Sequence, residues 1–364
     1  MSPERPAATR SFGALQNLFG FNDGPWRWWA GVQVAVATGA PLAIFTLAGR
    51  QSWGLMASLG AFTVLYGSTL RSGDRIRALP FVAAGFVAAS GLGSLSAANA
   101  GLTIAGLVVV AALACMTVLG ARLGPPGPMQ FVLVAGVSAH LAAPARLGGS
   151  SLDPFRITAL VAVGALIASG LLAALLALPF ARLREGQPVG LRPLFPPRAL
   201  DEEATTIAAR VVVAVAVAGL LSLFLGARHS YWIIMVAGAV LQTTHVWRSS
   251  VTRVVHRILG TVMGVAVFGL ISLMEPKGLW LVGVLTLLQC AIEVVVVRHY
   301  ALALTFITPT ALIISAAART ADPFGLACER IIDTVLGAVA ALIVLWAGEW
   351  LRAHRQARRS APIP

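Results

Sequence analysis

The chain has 364 residues, of which 58% are hydrophobic and only 11% charged. A soluble chain would carry about 25% charged residues, so folding in water would leave apolar surface that no polar group covers. The formal net charge is +13, and arginine supplies all 27 basic residues except Lys277; in so apolar a chain that excess belongs to cytoplasmic loops rather than to a nucleic-acid-binding face.

Residues 1–27 contain Arg5, Pro6, Arg10 and Asp23 but no apolar run. They lack the h-region of a cleavable signal peptide, so the first span is expected to act as the insertion signal. A spanning helix needs roughly 20 mostly apolar residues, because each rises about 1.5 Å through a core about 30 Å thick. Six such runs fall at 28–49, 53–70, 79–97, 102–120, 129–144 and 157–181. A connector at 182–203 follows, with Arg182, Arg184, Arg192, Arg198 and the acidic run Asp201, Glu202, Glu203. Six more runs follow at 204–226, 231–247, 258–274, 278–297, 300–317 and 324–350, then a basic tail at 352–364.

The short loops permit a sign test. With the N-terminus inside, one side collects Arg71, Arg75, Arg77, the connector arginines, Arg248, Arg253, Arg257, Arg352, Arg355, Arg358 and Arg359. The other side holds Arg50, Arg146, Arg156, Arg228, Lys277 and Arg319. The imbalance predicts a multi-pass protein with both termini cytoplasmic.

Three local matches recur in the same order. The segment from Arg27 matches that from Arg210, Trp53-Gly-Leu-Met matches Trp232-Ile-Ile-Met, and Asp153-Pro-Phe matches Asp322-Pro-Phe. Six spans is an even number, so both halves insert alike and the repeats are expected to be parallel. The predicted organisation is an N-terminal segment 1–27, membrane repeat 28–181, linker 182–203, membrane repeat 204–351 and tail 352–364. This is an all-α polytopic membrane protein of about twelve transmembrane helices in two parallel six-helix repeats.

Tyr231-Trp232, Leu241-Gln242, Arg248, Arg253, Arg257-Ile-Leu-Gly260-Thr261-Val-Met-Gly264 and Arg330-Ile-Ile-Asp333-Thr334-Val-Leu-Gly337 together resemble the FUSC family of fusaric acid resistance-like proteins, which includes aromatic acid exporters. The resemblance covers the second half and is looser in the first. Plant aluminium-activated malate channels are distant relatives of that family, with one six-helix unit per subunit. By that resemblance the two halves would form a pseudo-dimer around one anion path in a bacterial cytoplasmic membrane, with a homo-oligomer also open.

Arg330 and Asp333 are three apart, with Glu329 beside them, so one helix face carries all three. A charge at membrane depth costs at least about 2.5–3.5 kcal/mol, which requires these residues to face protein or a water-filled cavity. They are read as a substrate-binding cation with proton-coupling carboxylates, or as an ion pair that locks helix packing. Glu293, one turn after Gln289, is the second proton-coupling candidate; the alternative is a side chain snorkelling toward Arg298 and His299. Arg253 and Arg257 are candidate substrate-binding residues, and Arg71, Arg75, Arg77, Arg248 and His256 form basic clusters at the cytoplasmic mouth. Such a ring concentrates anions, beside the topogenic role that loop arginines have in any case.

Thr305, Thr308 and Thr310 flank Pro309, which removes a backbone donor. Broken helices line transport sites in many carriers, so Thr305 and Thr308 are candidate substrate contacts. Trp53, Tyr231 and Trp232 sit at span ends, where interfacial aromatics are expected. Gly260 and Gly264 form a small-xxx-small packing face. Cys115, Cys290 and Cys328 have no metal or disulfide spacing.

No His-Glu-x-x-His, Walker loop or Gly-x-Ser-x-Gly occurs, so catalysis, cofactor and metal are not expected. The expected function is secondary export of small organic anions, aromatic carboxylates by the family resemblance, with proton coupling. A passive anion channel, and a membrane enzyme or scaffold for lipid-linked substrates, remain as alternatives.

Overall fold

In the computed structural model the described residues are 20–22, 26–177, 200–226, 230–243, 246–318 and 323–359. Most of the N-terminal segment and of the linker, with Arg182, Arg184, Arg192 and Arg198, lies outside them, as do Arg228, Arg319 and Asp322. The described residues form twelve α-helices. In chain order they are α1 Trp28–Leu47, α2 Gln51–Gly60, α3 Ser72–Ser96, α4 Ala100–Gly120, α5 Met129–Ala142 and α6 Pro154–Ala177. The second group is α7 Glu202–Phe224, α8 Ser230–Leu241, α9 Trp247–Ser272, α10 Leu279–Val295, α11 Tyr300–Ala318 and α12 Pro323–Arg359.

Seven of these, α1, α3, α4, α6, α7, α9 and α12, are long and apolar enough to cross a membrane. The chain is therefore an all-α, multi-pass membrane protein. The shorter helices pack among the long ones, and they do so in matching sets. α1 packs on α2 and α6, and α7 on α8 and α12. α3 packs on α5 and α6, and α9 on α11 and α12; α2 lies on α6 and α8 on α12. Across the middle, α4 meets α7 while α10 meets α1, and α5 meets α8 while α11 meets α2.

Helix starts follow local chemistry. Asn99 accepts from Gly101 N and Leu102 N ahead of α4, and Asp201 accepts from Ala204 N ahead of α7, each satisfying donors the first turn leaves open. Glu202 and Glu203 add negative charge to the N-terminal turn of α7.

Five spans differ from the apolar pattern, one of them α12, which continues to Arg359 rather than ending at 350. The run expected at 53–70 is helical only to Gly60, tightens into a 3₁₀ turn over Ala61–Leu65, and leaves as extended chain at Tyr66. Gly67 then turns back with φ +68°, where a side chain would be strained. The run expected at 231–247 ends as α8 at Leu241, after 12 residues, which is only about 18 Å of helix. Conversely, α9 begins at Trp247 rather than near 258, and α3 at Ser72 rather than 79. The stretches read as basic loops are thus the first turns of helices. Hydropathy treats arginine as a loop signal, but an arginine facing a cavity or a broken helix end is carried on helix.

α9 and α11 approach closely because two glycines lie between them. A Cβ on Gly260 would stand 2.6 Å from Ala301 O, and one on Gly264 would meet Thr308 Cβ at 2.5 Å. The small-xxx-small face therefore packs as expected.

Candidate functional site: an arginine-lined cavity between the helices

A cavity of about 670 Å³ lies between the two groups of helices. Along α11 alone its wall includes Tyr300, Ile307, Thr310, Ala311, Ile314 and Ser315. These recur on one helical face, and Tyr300 to Ser315 amounts to about 22 Å of rise. The wall runs from Gln242 and Pro126, near the end of α8, to Trp53 and Arg156, at the starts of α2 and α6. It is mostly apolar, with Arg27, Arg156, Arg253, Arg257 and Arg330 as cations and Glu293, Glu329 and Asp333 as carboxylates.

Three of the arginines form a ladder with aromatic rings. Arg253 lies 4.3 Å over Tyr300, and Arg257 Nη1 donates to the Tyr300 hydroxyl at 3.0 Å. Arg257 is also 5.5 Å from the Trp232 ring centroid, and Arg330 is 3.7 Å from it. The short α8 makes this possible. With only 12 residues, its first turn reaches the level of Arg257, ten residues into α9. Trp232 is 4% exposed, so it is a cavity residue and not the interfacial anchor its place in the sequence implies.

The ladder leaves donors unmet. Arg257 is 3% and Arg330 6% exposed, yet Arg257 Nε and Nη2, Arg330 Nη1 and Arg253 Nε have no hydrogen-bond partner. A buried donor without a partner costs about 1–3 kcal/mol, more on a charged group. Four such nitrogens on three guanidinium ions around one cavity are an arrangement whose chemistry can hold an anion.

The carboxylates share the wall. Glu293 faces the cavity and accepts from Gln289 Nε2 at 3.4 Å. Glu329 and Asp333 line it beside Arg330, which rests on Trp232. Arg330, Asp333 and Glu329 are therefore on one face, and that face looks into the cavity.

Other candidate positions lie elsewhere. Arg75 is buried and has its own partners: Nη2 donates to Val64 O at 2.6 Å and Nε to Tyr66 O at 3.1 Å. It closes the broken end of α2, whose last carbonyls have no helical donor. Arg71, Arg77 and Arg248 are exposed and off the cavity wall, and His256 is buried with its ring 5.5 Å from His299. Thr305 Oγ1 donates to Ala301 O at 3.2 Å, and Thr308 packs against Gly264. Thr308 thus faces α9, neither threonine is on the cavity wall, and Thr310 is there instead. α11 continues through Pro309, and Thr310 Oγ1 donates to Phe306 O at 2.8 Å within it.

Several wall residues had little sequence signal. Tyr300 is a single tyrosine at a span start, and Gln242 a single amide at a span end. Gln242 Oε1 accepts from Met129 N at 3.1 Å and so joins the end of α8 to the start of α5. Arg27 reads as a flank of α1 but lines the wall.

Residues 213–344 match the model of the family described as fusaric acid resistance protein-like. Over 134 residues the chain is 36% identical to the uncharacterized membrane protein YvaC of Bacillus subtilis (strain 168), covering 35% of this chain and 21% of that protein. The chain thus spans about a fifth of the length of that relative. No solved structure matches it. The matched segment runs from α7 into α12 and contains Trp232, Arg253, Arg257, Glu293, Tyr300, Arg330 and Asp333, so the arginine ladder lies in the stretch that is similar to the fusaric acid resistance protein-like family.

Proposed function

We propose that the chain is a secondary transporter that exports small organic anions, aromatic carboxylates in particular, across a bacterial cytoplasmic membrane with proton coupling. The observation that carries this is the set of unmet guanidinium donors on Arg253, Arg257 and Arg330 around one largely apolar cavity. The apolar wall suits a hydrocarbon or aromatic body, and the guanidinium groups suit its carboxylate. Glu293, Asp333 and Glu329 line the same space, so a proton and an anion can share one site. The fusaric acid resistance protein-like domain agrees with transport.

The proposal includes two parallel six-helix repeats, 28–181 and 204–351, joined by 182–203. Its support is that exchanging each helix for the one six places away, α1 with α7 through α6 with α12, turns every packing pair named above into another of those pairs. The arginine distribution supports cytoplasmic termini.

A passive channel would use the same cavity, whose wall extends about 22 Å along α11. Uptake of labelled benzoate and phthalate into proteoliposomes separates the readings. Accumulation above equilibrium only under an imposed pH gradient is expected for the transporter. Flux that equilibrates and follows membrane voltage would replace it by the channel, and no flux in any condition would remove both.

A further inference from the structure

Trp53, in the first turn of α2, carries a second pair of arginines. Arg50 lies 4.2 Å and Arg156 4.5 Å from its ring centroid. Arg50 immediately precedes α2, and Arg156 stands in the first turn of α6, where Asp153 Oδ2 accepts from its backbone N at 2.9 Å. The contact between α2 and α6 brings the two cations to one indole. Among the described residues neither guanidinium is in a salt bridge, although Lys277 nearby is paired with Glu275 at 2.9 Å. Two like charges on one ring repel, and an anion between them removes the repulsion.

The position matters as much as the charge. Trp53 and Arg156 are on the wall of the cavity that also holds Trp232, Arg257 and Arg330, with Ser52 and Ser150 beside them. Arg50 and Arg156 are exposed whereas Arg257 and Arg330 are buried, so the Trp53 cluster lies at a mouth and the Trp232 cluster inside.

We infer that Trp53, Arg50 and Arg156 form a second, weaker binding station for the same carboxylate at the mouth opposite Gln242. This rests on the transport reading above. A buried site made of unmet arginines holds an anion tightly, and conduction or turnover needs a way to leave it. A nearby exposed station lets the anion exchange between sites, the multi-site arrangement that permits release. The ring offers its π face to cations in both clusters, so the anion meets the same guanidinium–indole chemistry twice, first dry and then wet.

The test measures initial rates of labelled benzoate transport at pH 8 in right-side-out and inverted membrane vesicles. Arg50→Gln with Arg156→Gln should raise KM roughly tenfold when benzoate is presented to the Trp53 face, as expected for loss of charge-assisted contacts. KM from the opposite face should change less than twofold. Arg50→Lys with Arg156→Lys should restore most of the affinity, which a merely unfolded variant would not. Equal changes from both faces, or none, overturn the outer station while leaving the transport reading intact, provided Arg330→Gln still abolishes flux. If wild-type protein carries no benzoate, or Arg330→Gln has no effect, the transport reading falls and the station with it.

Discussion

Arg330 rests on Trp232, its guanidinium carbon 3.7 Å from the ring centroid, while Trp232 Nε1 donates to Thr334 Oγ1 at 3.4 Å. Thr334 is one turn beyond Arg330 on α12, and its own Oγ1 donates to Arg330 O at 2.7 Å. The indole is thus fixed at both ends to the helix whose arginine it carries. Arg257 reaches the same ring from α9. A buried cation–π contact is worth about 2 kcal/mol, enough to hold a guanidinium toward a cavity where a hydrogen bond would turn it aside.

Replacing the indole should therefore misplace both arginines. Trp232→Ala is expected to lower benzoate kcat/KM at least tenfold in proteoliposomes, and Trp232→Phe to lower it less, since a ring remains without the Nε1 donor. Equal loss in both would mean that the hydrogen bond to Thr334, not the ring, positions Arg330.

Arg75 and Arg257 are each followed by isoleucine, Arg75 in the first turn of α3 and Arg257 ten residues into α9. Their environments separate them. Arg75→Gln removes two buried bonds to Val64 O and Tyr66 O and should cost about 2–4 kcal/mol of stability, read as a lower melting temperature in detergent. Arg257→Gln loses one hydrogen bond to Tyr300 but also removes a buried charge with two unpartnered nitrogens, so it should lower melting less than Arg75→Gln and should raise KM for anions. The reverse pattern would exchange the roles assigned to the two residues.

How far the chain can be read without coordinates follows from this pair. Twelve helices are legible because bilayer-length apolar runs separate short polar ones. The Arg330, Asp333 and Glu329 face is legible because i, i+3 and i+4 spacing is a property of any helix. The break at Leu65–Tyr66 is not legible, since Phe62–Leu65 continues the apolar run while the backbone leaves the helix. Nothing in the sequence beside Arg75 therefore announces the carbonyls it binds. The depth of Trp232 is hidden for the same reason: an aromatic at a span start reads as interfacial unless the span is known to be half length. Thr305 and Thr308 stand out in the sequence only by proximity to Pro309, and proximity in sequence does not say which face of a helix meets the cavity.

Glu293 offers a test of coupling. Its carboxylate accepts from Gln289 Nε2 on the cavity wall, and Glu293→Gln mimics the protonated form permanently. In wild-type proteoliposomes anion movement should be faster toward the acidic compartment. In Glu293→Gln the flux should persist and lose its response to the gradient. A retained response would transfer the coupling role to Asp333 or Glu329, each testable by the same substitution to Asn or Gln.

The packing face of α11 leaves no room for a methyl on α9. A Cβ on Gly264 would stand 2.5 Å from Thr308 Cβ, closer than two carbons can approach, so Gly264→Ala must push α9 from α11. Overpacking of this kind costs about 1–3 kcal/mol, and the melting temperature should fall accordingly. Combining it with Thr308→Gly removes the opposing carbon and should recover part of the loss, with a non-additive coupling between the two. Thr308→Ser alone should leave benzoate KM unchanged, because Thr308 faces α9, whereas Thr310→Val should alter it, because Thr310 is on the cavity wall. A change in KM with Thr308→Ser would return that hydroxyl to the transport path and require α11 to rotate during the cycle.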